Sequence, residues 1–158
     1  MRVRSLSEQV ISQGGVALAI SVDIVNAFNS LPWDAIRRAL AHHHVPPYLQ
    51  GIIGDYLRDG YIPYMGQDGR KIRREIKRGV PQGSVMGPLL WNLACDVVLR
   101  VDLPAGVDIV CYADDTLVIA SGITFERAKE LAELGAEVVV AKIHELGLEI
   151  APHKTEAL

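Results

Sequence analysis

Val107-Asp108-Ile109-Val110-Cys111-Tyr112-Ala113-Asp114-Asp115-Thr116-Leu117-Val118-Ile119-Ala120 is the stretch whose reading decides the fold. Two short runs rich in β-branched residues flank Tyr112-Ala113-Asp114-Asp115. Both runs read as strands, which puts the carboxylate pair at the tip of a β-hairpin. Turn chemistry alone favours Asn-Gly or Asp-Gly at such a tip, and two adjacent acids repel each other. An arrangement with that electrostatic cost points to a cation. Hard divalent ions take carboxylate oxygens, so Mg²⁺ is the natural candidate. Taken alone, the pair is better explained as a solvated Asp-Asp turn, so the weight falls on what else the chain holds.

The chain has 158 residues, of which 49% are hydrophobic, enough for one domain with one core and too many for a disordered chain. Its net charge of −3 is not that of a strong stand-alone nucleic-acid binder, although a net value conceals local patches. Cys95 and Cys111 lie in apolar surroundings without ligand-type spacing and read as buried free thiols. No apolar run approaches a membrane span, and Met1-Arg2-Val3-Arg4-Ser5 leads into a polar, helix-like segment instead of a signal sequence. The expectation is an intracellular protein, nuclear or cytoplasmic, not secreted and without a membrane partner.

Upstream, Leu6 to Ser12 reads as about two helical turns ended by Gly14-Gly15. Val16 to Val22 is a continuous apolar run, expected as a strand buried on both faces, with Asp23 at its end. A carboxylate there is costly unless paired or bound to metal, though a loop acid is the plainer alternative. Leu31-Pro32-Trp33 opens a helix that His42-His43-His44 ends, and three consecutive imidazoles point in different directions, against a shared metal site. A second helix runs from Tyr48 to Leu57, with Leu49, Ile52, Ile53 and Tyr56 on its apolar face. Tyr61 to Met65 and Arg70 to Lys77 form a hairpin whose return side, with Arg78, carries Arg70, Lys71, Arg73, Arg74 and Lys77 against one acid, Glu75. This patch suits a phosphate backbone or, equally, a charge-protected sheet edge.

Gly79-Val80-Pro81-Gln82-Gly83-Ser84-Val85-Met86-Gly87-Pro88 packs three glycines and two prolines into ten residues, the composition of a shaped loop open to close ligand approach. A helix follows from about Leu89 to Arg100, with Leu89, Leu90, Leu93, Val97 and Val98 on one broad face. Beyond the carboxylate hairpin, Thr124 can cap a long helix from Phe125 to about Leu146. Its expected stripe is Leu131, Leu134, Val138, Ala141, Ile143 and Leu146, and Gly147 ends it. Leu148-Glu149-Ile150 reads as a short strand. The element order gives an α+β fold with helices on one face of an antiparallel sheet. If the Asp23 strand and the Asp114-Asp115 hairpin share that sheet, three carboxylates converge at one sheet end. Such a set can hold two Mg²⁺ ions about 3.5–4 Å apart, as nucleotidyl transfer requires.

Asp23-Ile24-Val25-Asn26-Ala27-Phe28, Gly79 through Pro88, and Tyr112-Ala113-Asp114-Asp115 resemble, in order, the A, B and C motifs of reverse transcriptases. Gly147-Leu148-Glu149-Ile150 with Lys154-Thr155-Glu156 resembles the following D motif, and the second motif resembles the non-LTR (LINE-type) retrotransposon branch. The resemblance runs from about Val16 to the chain's last residue. It implies a polymerase palm with a ferredoxin- or RRM-like core, working by a two-Mg²⁺ mechanism in which Mn²⁺ can substitute. Asp23, Asp114 and Asp115 would be the metal ligands, helped by the Ile24 carbonyl. Phe28 would be the steric gate that excludes a ribose 2′-hydroxyl. Gln82 and Gly83 would line the nucleotide pocket, Tyr112 would lie near the primer end, and Lys154 would donate a proton to pyrophosphate. The implied partners are an RNA template, a DNA primer and dNTPs. Trp33 and Trp91 are expected in the core.

Asn29 stands where the family often has Asp, at a position that is not a presumed ligand. The resemblance divides the chain into palm (1–45 and 79–158) and a fingers-like insert (46–78), with the N-terminal fingers and C-terminal thumb expected to be absent. Two other readings stay open. One is a catalytically incompetent palm fragment or domesticated remnant that binds protein or nucleic acid, or self-associates through surface that fingers and thumb would cover. The other is a different palm-fold enzyme, against which Phe28 and the Tyr-Ala-Asp-Asp wording both speak.

Overall fold

The sheet is built on β1 (Val16–Val22) in the computed structural model, which describes residues 2–58, 61–65, 70–75, 77–81, 83–152 and 155–157. β1 pairs antiparallel with β5 (Asp115–Gly122) over its full length, from Val16↔Gly122 to Val22↔Thr116. On its other side it takes up β6 (Glu156–Ala157) at Ile20↔Ala157 and Ser21↔Glu156. β4 (Val107–Tyr112) joins β5 as a hairpin in register from Val107↔Ala120 to Tyr112↔Asp115, giving the order β4-β5-β1-β6. Only Ala113 and Asp114 fall outside the hairpin ladder. The carboxylate pair therefore lies at a tight hairpin tip, as the β-branched runs predict.

The long helix, α6 (Phe125–Glu145), lies against β5, β1 and β4. Thr124 caps it, its hydroxyl oxygen accepting from the Arg127 N–H at 3.2 Å, and Gly147 follows its end at a φ of +82°. This is the α+β fold that the element order implies. The chain divides into two compact units, 1–27 with 95–158, and 28–94. The first holds the sheet, α6 and α1 (Arg2–Ser12), which touches β1. The second begins within the short α2 (Ala27–Ser30) and holds α3 (Trp33–His42), α4 (Pro47–Leu57) and the antiparallel hairpin β2 (Tyr61–Met65) with β3 (Lys71–Glu75). α5 (Met86–Leu99) runs from the second unit into the first.

Several expectations shift in detail. β1 is not buried on both faces: Val22 alone is fully buried and Val16 to Ser21 stay partly accessible. α5 starts at Met86, three residues before the expected Leu89, and buries Leu90, Trp91, Ala94 and Val98 while Leu89 faces outward. On α4 the buried residues are Ile53 and Leu57, and Leu49, Ile52 and Tyr56 are exposed. Leu148–Ile150 contributes a single bridge, Ile24↔Ile150, and the strand proper is β6. α6 buries Ala128, Leu131, Ala132, Gly135, Val139 and Ile143, leaving Leu134 and Ala141 exposed. The stripe is rotated because small residues, not large ones, set the line of approach. A Cβ added at Gly135 would stand 2.6 Å from Val107 Cγ1 and 3.1 Å from Val118 Cγ1.

Two effects oppose each other in Gly135→Ala. Alanine gains about 1 kcal/mol in helix propensity, and overpacking a tight contact costs about 1–3 kcal/mol. The obstructing atom is a γ-methyl of a β-branched strand residue, stiff at χ1, so the packing loss dominates. The expected result is a lower urea midpoint with an unchanged slope, a net loss of roughly 1 kcal/mol. A midpoint at or above the parent's would show that the helix has room to spare.

Candidate active site

Asp23 is the residue after the last β1–β5 pair, Val22↔Thr116, and Asp115 is the residue before it on the partner strand. Carried one step further, the register sets Asp23 across from Asp115, with Asp114 next to it in the turn. The chain leaving β1 is held in place. The Asp23 carbonyl accepts from the Ala151 N–H at 2.9 Å and the Val25 N–H donates to the Glu149 carbonyl at 2.8 Å, flanking the Ile24↔Ile150 bridge. These two bonds use the neighbours' groups, so the Ile24 carbonyl takes no part in that bridge, although the Ile24 side chain is buried. Asn26 then turns the chain at a φ of +47°, a conformation that asparagine tolerates better than most residues.

At the hairpin tip Ala113 has a φ of +54°. The first position of a two-residue hairpin turn is one that glycine ordinarily fills, and an alanine held there stores about 1–2 kcal/mol. Tyr112, beside it, is 82% exposed. Asp23 and Asp114 are half-buried and Asp115 is exposed. Behind them Thr116 is buried, with its hydroxyl 3.5 Å from Cys111 Sγ. Among the described residues no group of three or more His, Cys, Asp or Glu side chains stands close enough to hold an ion alone. The donor set nonetheless fits Mg²⁺. That ion typically takes one or two carboxylates and completes its shell with water and substrate phosphate, not with an all-protein cage.

The second unit holds Phe28 and the whole Gly-rich stretch. The Val80 N–H donates to the Phe28 carbonyl at 2.8 Å, and the Gly79 N–H to the Leu31 carbonyl at 2.7 Å. Gly79 has a φ of +85°, and a Cβ there would meet the Asn29 carbonyl oxygen at 2.6 Å. The Ser84 hydroxyl accepts from the Gly87 N–H at 2.9 Å in the first turn of α5. Gly83 is exposed, at a φ of +80°. Of the basic hairpin, Arg70, Lys77 and Arg78 are exposed. Lys71, Arg73 and Arg74 lie in β3, opposite Met65, Pro63 and Ile62, and their side chains are outside the described residues. Gln82 and Lys154 also lie outside the described residues.

Of the two tryptophans expected in the core, Trp91 is buried there and Trp33 is only half-buried. The Trp33 indole N–H donates to the Gly79 carbonyl at 2.8 Å. Trp91, 1% exposed, stacks on Phe28 with ring centroids 5.0 Å apart and planes 28° from parallel. The hint available in the sequence is general: a buried indole seeks an acceptor and another ring.

The family model for "Reverse transcriptase (RNA-dependent DNA polymerase)" matches residues 1–158. The chain belongs to the reverse transcriptase family, as a domain of the non-LTR, LINE type. It is 30% identical over 114 residues to the Pol polyprotein of the type-1 retrotransposable element R1 of Bradysia coprophila, covering 72% of this chain and 11% of the relative. It is 32% identical over 125 residues to the RNA-directed DNA polymerase from the mobile element jockey of Drosophila melanogaster, covering 75% of this chain and 13% of the relative. The chain thus spans a small part of these relatives' length. Among solved structures, apo telomerase from Candida tropicalis truncated from its C-terminal domain shares the fold. It has a TM-score of 0.73 at 12% identity, over 99% of this chain and 34% of that one. No described helix is long and apolar enough to cross a membrane.

Gly79→Ala meets both a left-handed φ and a backbone oxygen that cannot swing aside, so it should cost about 2–4 kcal/mol of stability, read from urea unfolding. Loss of under about 0.5 kcal/mol would contradict the close approach to Asn29. Burial pushes the Cys95 thiol up to about 12, with Cys111 adding to the shift, and burial also raises Cys111 against the lowering effect of Thr116. The folded chain keeps protons that the unfolded chain gives up. This stabilisation is therefore complete below the ordinary thiol value of 9.0 and is lost as pH rises from there towards about 12. Stability should fall less steeply above about pH 9 in Cys95→Ala than in the parent, and parallel curves would contradict the burial.

Proposed function

We propose that this chain carries the nucleotidyl-transfer centre of an RNA-directed DNA polymerase, adding dNTPs to a primer 3′ end on an RNA template. The observation that carries this reading is the β1–β5 register, which runs without a break to the acids at the sheet end. Family membership supports RNA-directed DNA synthesis in general. Asp23, Asp114 and Asp115, with the Ile24 carbonyl, would hold two divalent ions, Mg²⁺ with Mn²⁺ as a substitute. When bound, the ions lower the pKa of the attacking hydroxyl and neutralise the triphosphate and its leaving pyrophosphate.

The remaining roles belong to the chain's own groups. The hydrogen bonds around Ile24↔Ile150 fix the backbone that presents Asp23 and the Ile24 carbonyl. Phe28 stands against a ribose 2′-hydroxyl and so selects dNTPs. Gln82 and Gly83 line the nucleotide pocket, and Tyr112 lies along the primer end. Lys154 delivers a proton to pyrophosphate. Arg70, Lys71, Arg73, Arg74, Lys77 and Arg78 contact nucleic-acid phosphates, which makes binding salt-sensitive. In domain terms, 1–45 and 79–158 act as palm and 46–78 as a fingers-like insert, working inside the cell. A second reading, a palm acting as a self-associating or binding module, draws on the exposed Tyr48 and Ile52 of α4.

The test is primer extension on a primed RNA template at low salt, with Mg²⁺ and with Mn²⁺. Asp114→Asn/Asp115→Asn serves as the control that removes charge and keeps shape. DNA synthesis by the parent, reduced at least about a hundredfold in the control, is expected. Equal synthesis by both would remove these acids from the site. Synthesis by neither would sink the proposal that this chain performs the reaction, and favour the binding module.

A further inference from the structure

We infer that Trp91 is a positioning residue for the Phe28 ring, and through it a determinant of sugar discrimination; this rests on the reading of Phe28 as the sugar gate. Discriminating one hydroxyl requires the blocking ring to be held within about 0.5 Å, and a half-buried phenylalanine on a four-residue helix is not held that well by its own backbone. The structure supplies the missing restraint from two directions. The Phe28 carbonyl is fixed by the Val80 N–H at 2.8 Å, and the ring lies on the Trp91 indole at a 5.0 Å centroid distance.

Trp91 is suited to this task and to no direct one. At 1% exposure it does not itself meet a nucleotide, and its ring is stacked on that of Phe28. It sits on α5 just after the first turn, where the Ser84 hydroxyl accepts from the Gly87 N–H. The Gly-rich stretch is thus fastened to the Phe28 segment before and after its open part. At one end, Gly79 and Val80 bond to Leu31 and Phe28, and the Trp33 indole holds the Gly79 carbonyl. At the other end Trp91 meets the Phe28 ring. The stack contributes what a ring pair adds beyond buried area, and replacing the indole by a chain of similar apolarity removes the planar support while keeping much of the volume.

The test measures incorporation of dNTP and rNTP in primer extension by the full chain, and binding of dTTP and UTP to the same proteins with Mn²⁺ present. The variants are Phe28→Val, Trp91→Leu and Trp91→Phe, each compared with the parent by circular dichroism. Trp91→Leu should lower dNTP-over-rNTP discrimination roughly two- to tenfold, chiefly through a lower KM for the rNTP. Trp91→Phe, which keeps a ring, should restore most of it. A merely structural role would lower dNTP and rNTP incorporation together and leave their ratio alone. Discrimination unchanged in Trp91→Leu, while Phe28→Val relaxes it, overturns this inference and leaves the gate standing. Discrimination unchanged in Phe28→Val overturns the gate and the inference with it. A parent that neither extends a primer nor binds either nucleotide overturns the proposed function and this inference together.

Discussion

Antiparallel pairing of β1 with β5 is the constraint on which the rest of this structure depends. Side chains alternate between the two faces of a sheet. A slip of one residue in that pairing would turn every β1 side chain to the opposite face and part Asp23 from the hairpin acids. The register is set by residues outside the acidic cluster, Val22 against Thr116 and Ile20 against Val118. α6 holds it from one side through contacts with both strands. β6 holds it at the edge, pairing with Ile20 and Ser21, and the bonds flanking Ile24↔Ile150 extend the restraint past the strand end. Packing energy thus fixes the position of polar groups that could not fix it themselves.

Those polar groups would resist their own arrangement. Adjacent carboxylates at a hairpin tip repel, and Ala113 beside them sits at a φ of +54° where glycine would be relaxed. The strained backbone lowers stability, and it is localised at the hairpin tip beside the acids. A hairpin chosen for stability would place Asn-Gly there and give up the second carboxylate. A strained backbone at the end of an otherwise well-packed strand pair persists only because the surrounding pairing over-determines it.

Much of this was legible in the residues, for local reasons. β-branching in two short runs marked β4 and β5, the Thr124 hydroxyl marked the start of α6, and Gly147 marked its end. The acids stood out only in combination, since each taken alone has a plain local reading as a solvated turn or a loop acid. What stayed illegible depends on pairs distant in sequence. The buried stripe of α6 was misplaced towards Leu134 because hydrophobicity favours large residues. The true line follows Ala128, Ala132 and Gly135, small enough for close approach to the sheet. β6 offers a two-residue pairing with no periodicity to detect. Neither the Phe28–Trp91 stack nor the Trp33–Gly79 hydrogen bond leaves a mark at its own spacing, since each joins residues dozens of positions apart.

The Gly-rich stretch shows how packing and conformational demands can be separated once neighbours are known. Gly79 is required by packing, because its backbone lies so close to Asn29 that any side chain would collide. Its φ of +85° adds a second, independent reason. Gly83 has the same left-handed conformation, yet among the described residues nothing lies within 4 Å of where its Cβ would be. Conformation explains a glycine there, but crowding within the chain does not. Gly79, by contrast, is consumed in holding the segment that carries Phe28. One stretch of sequence thus uses glycine for two different reasons: its first for close approach as well as conformation, its second for conformation.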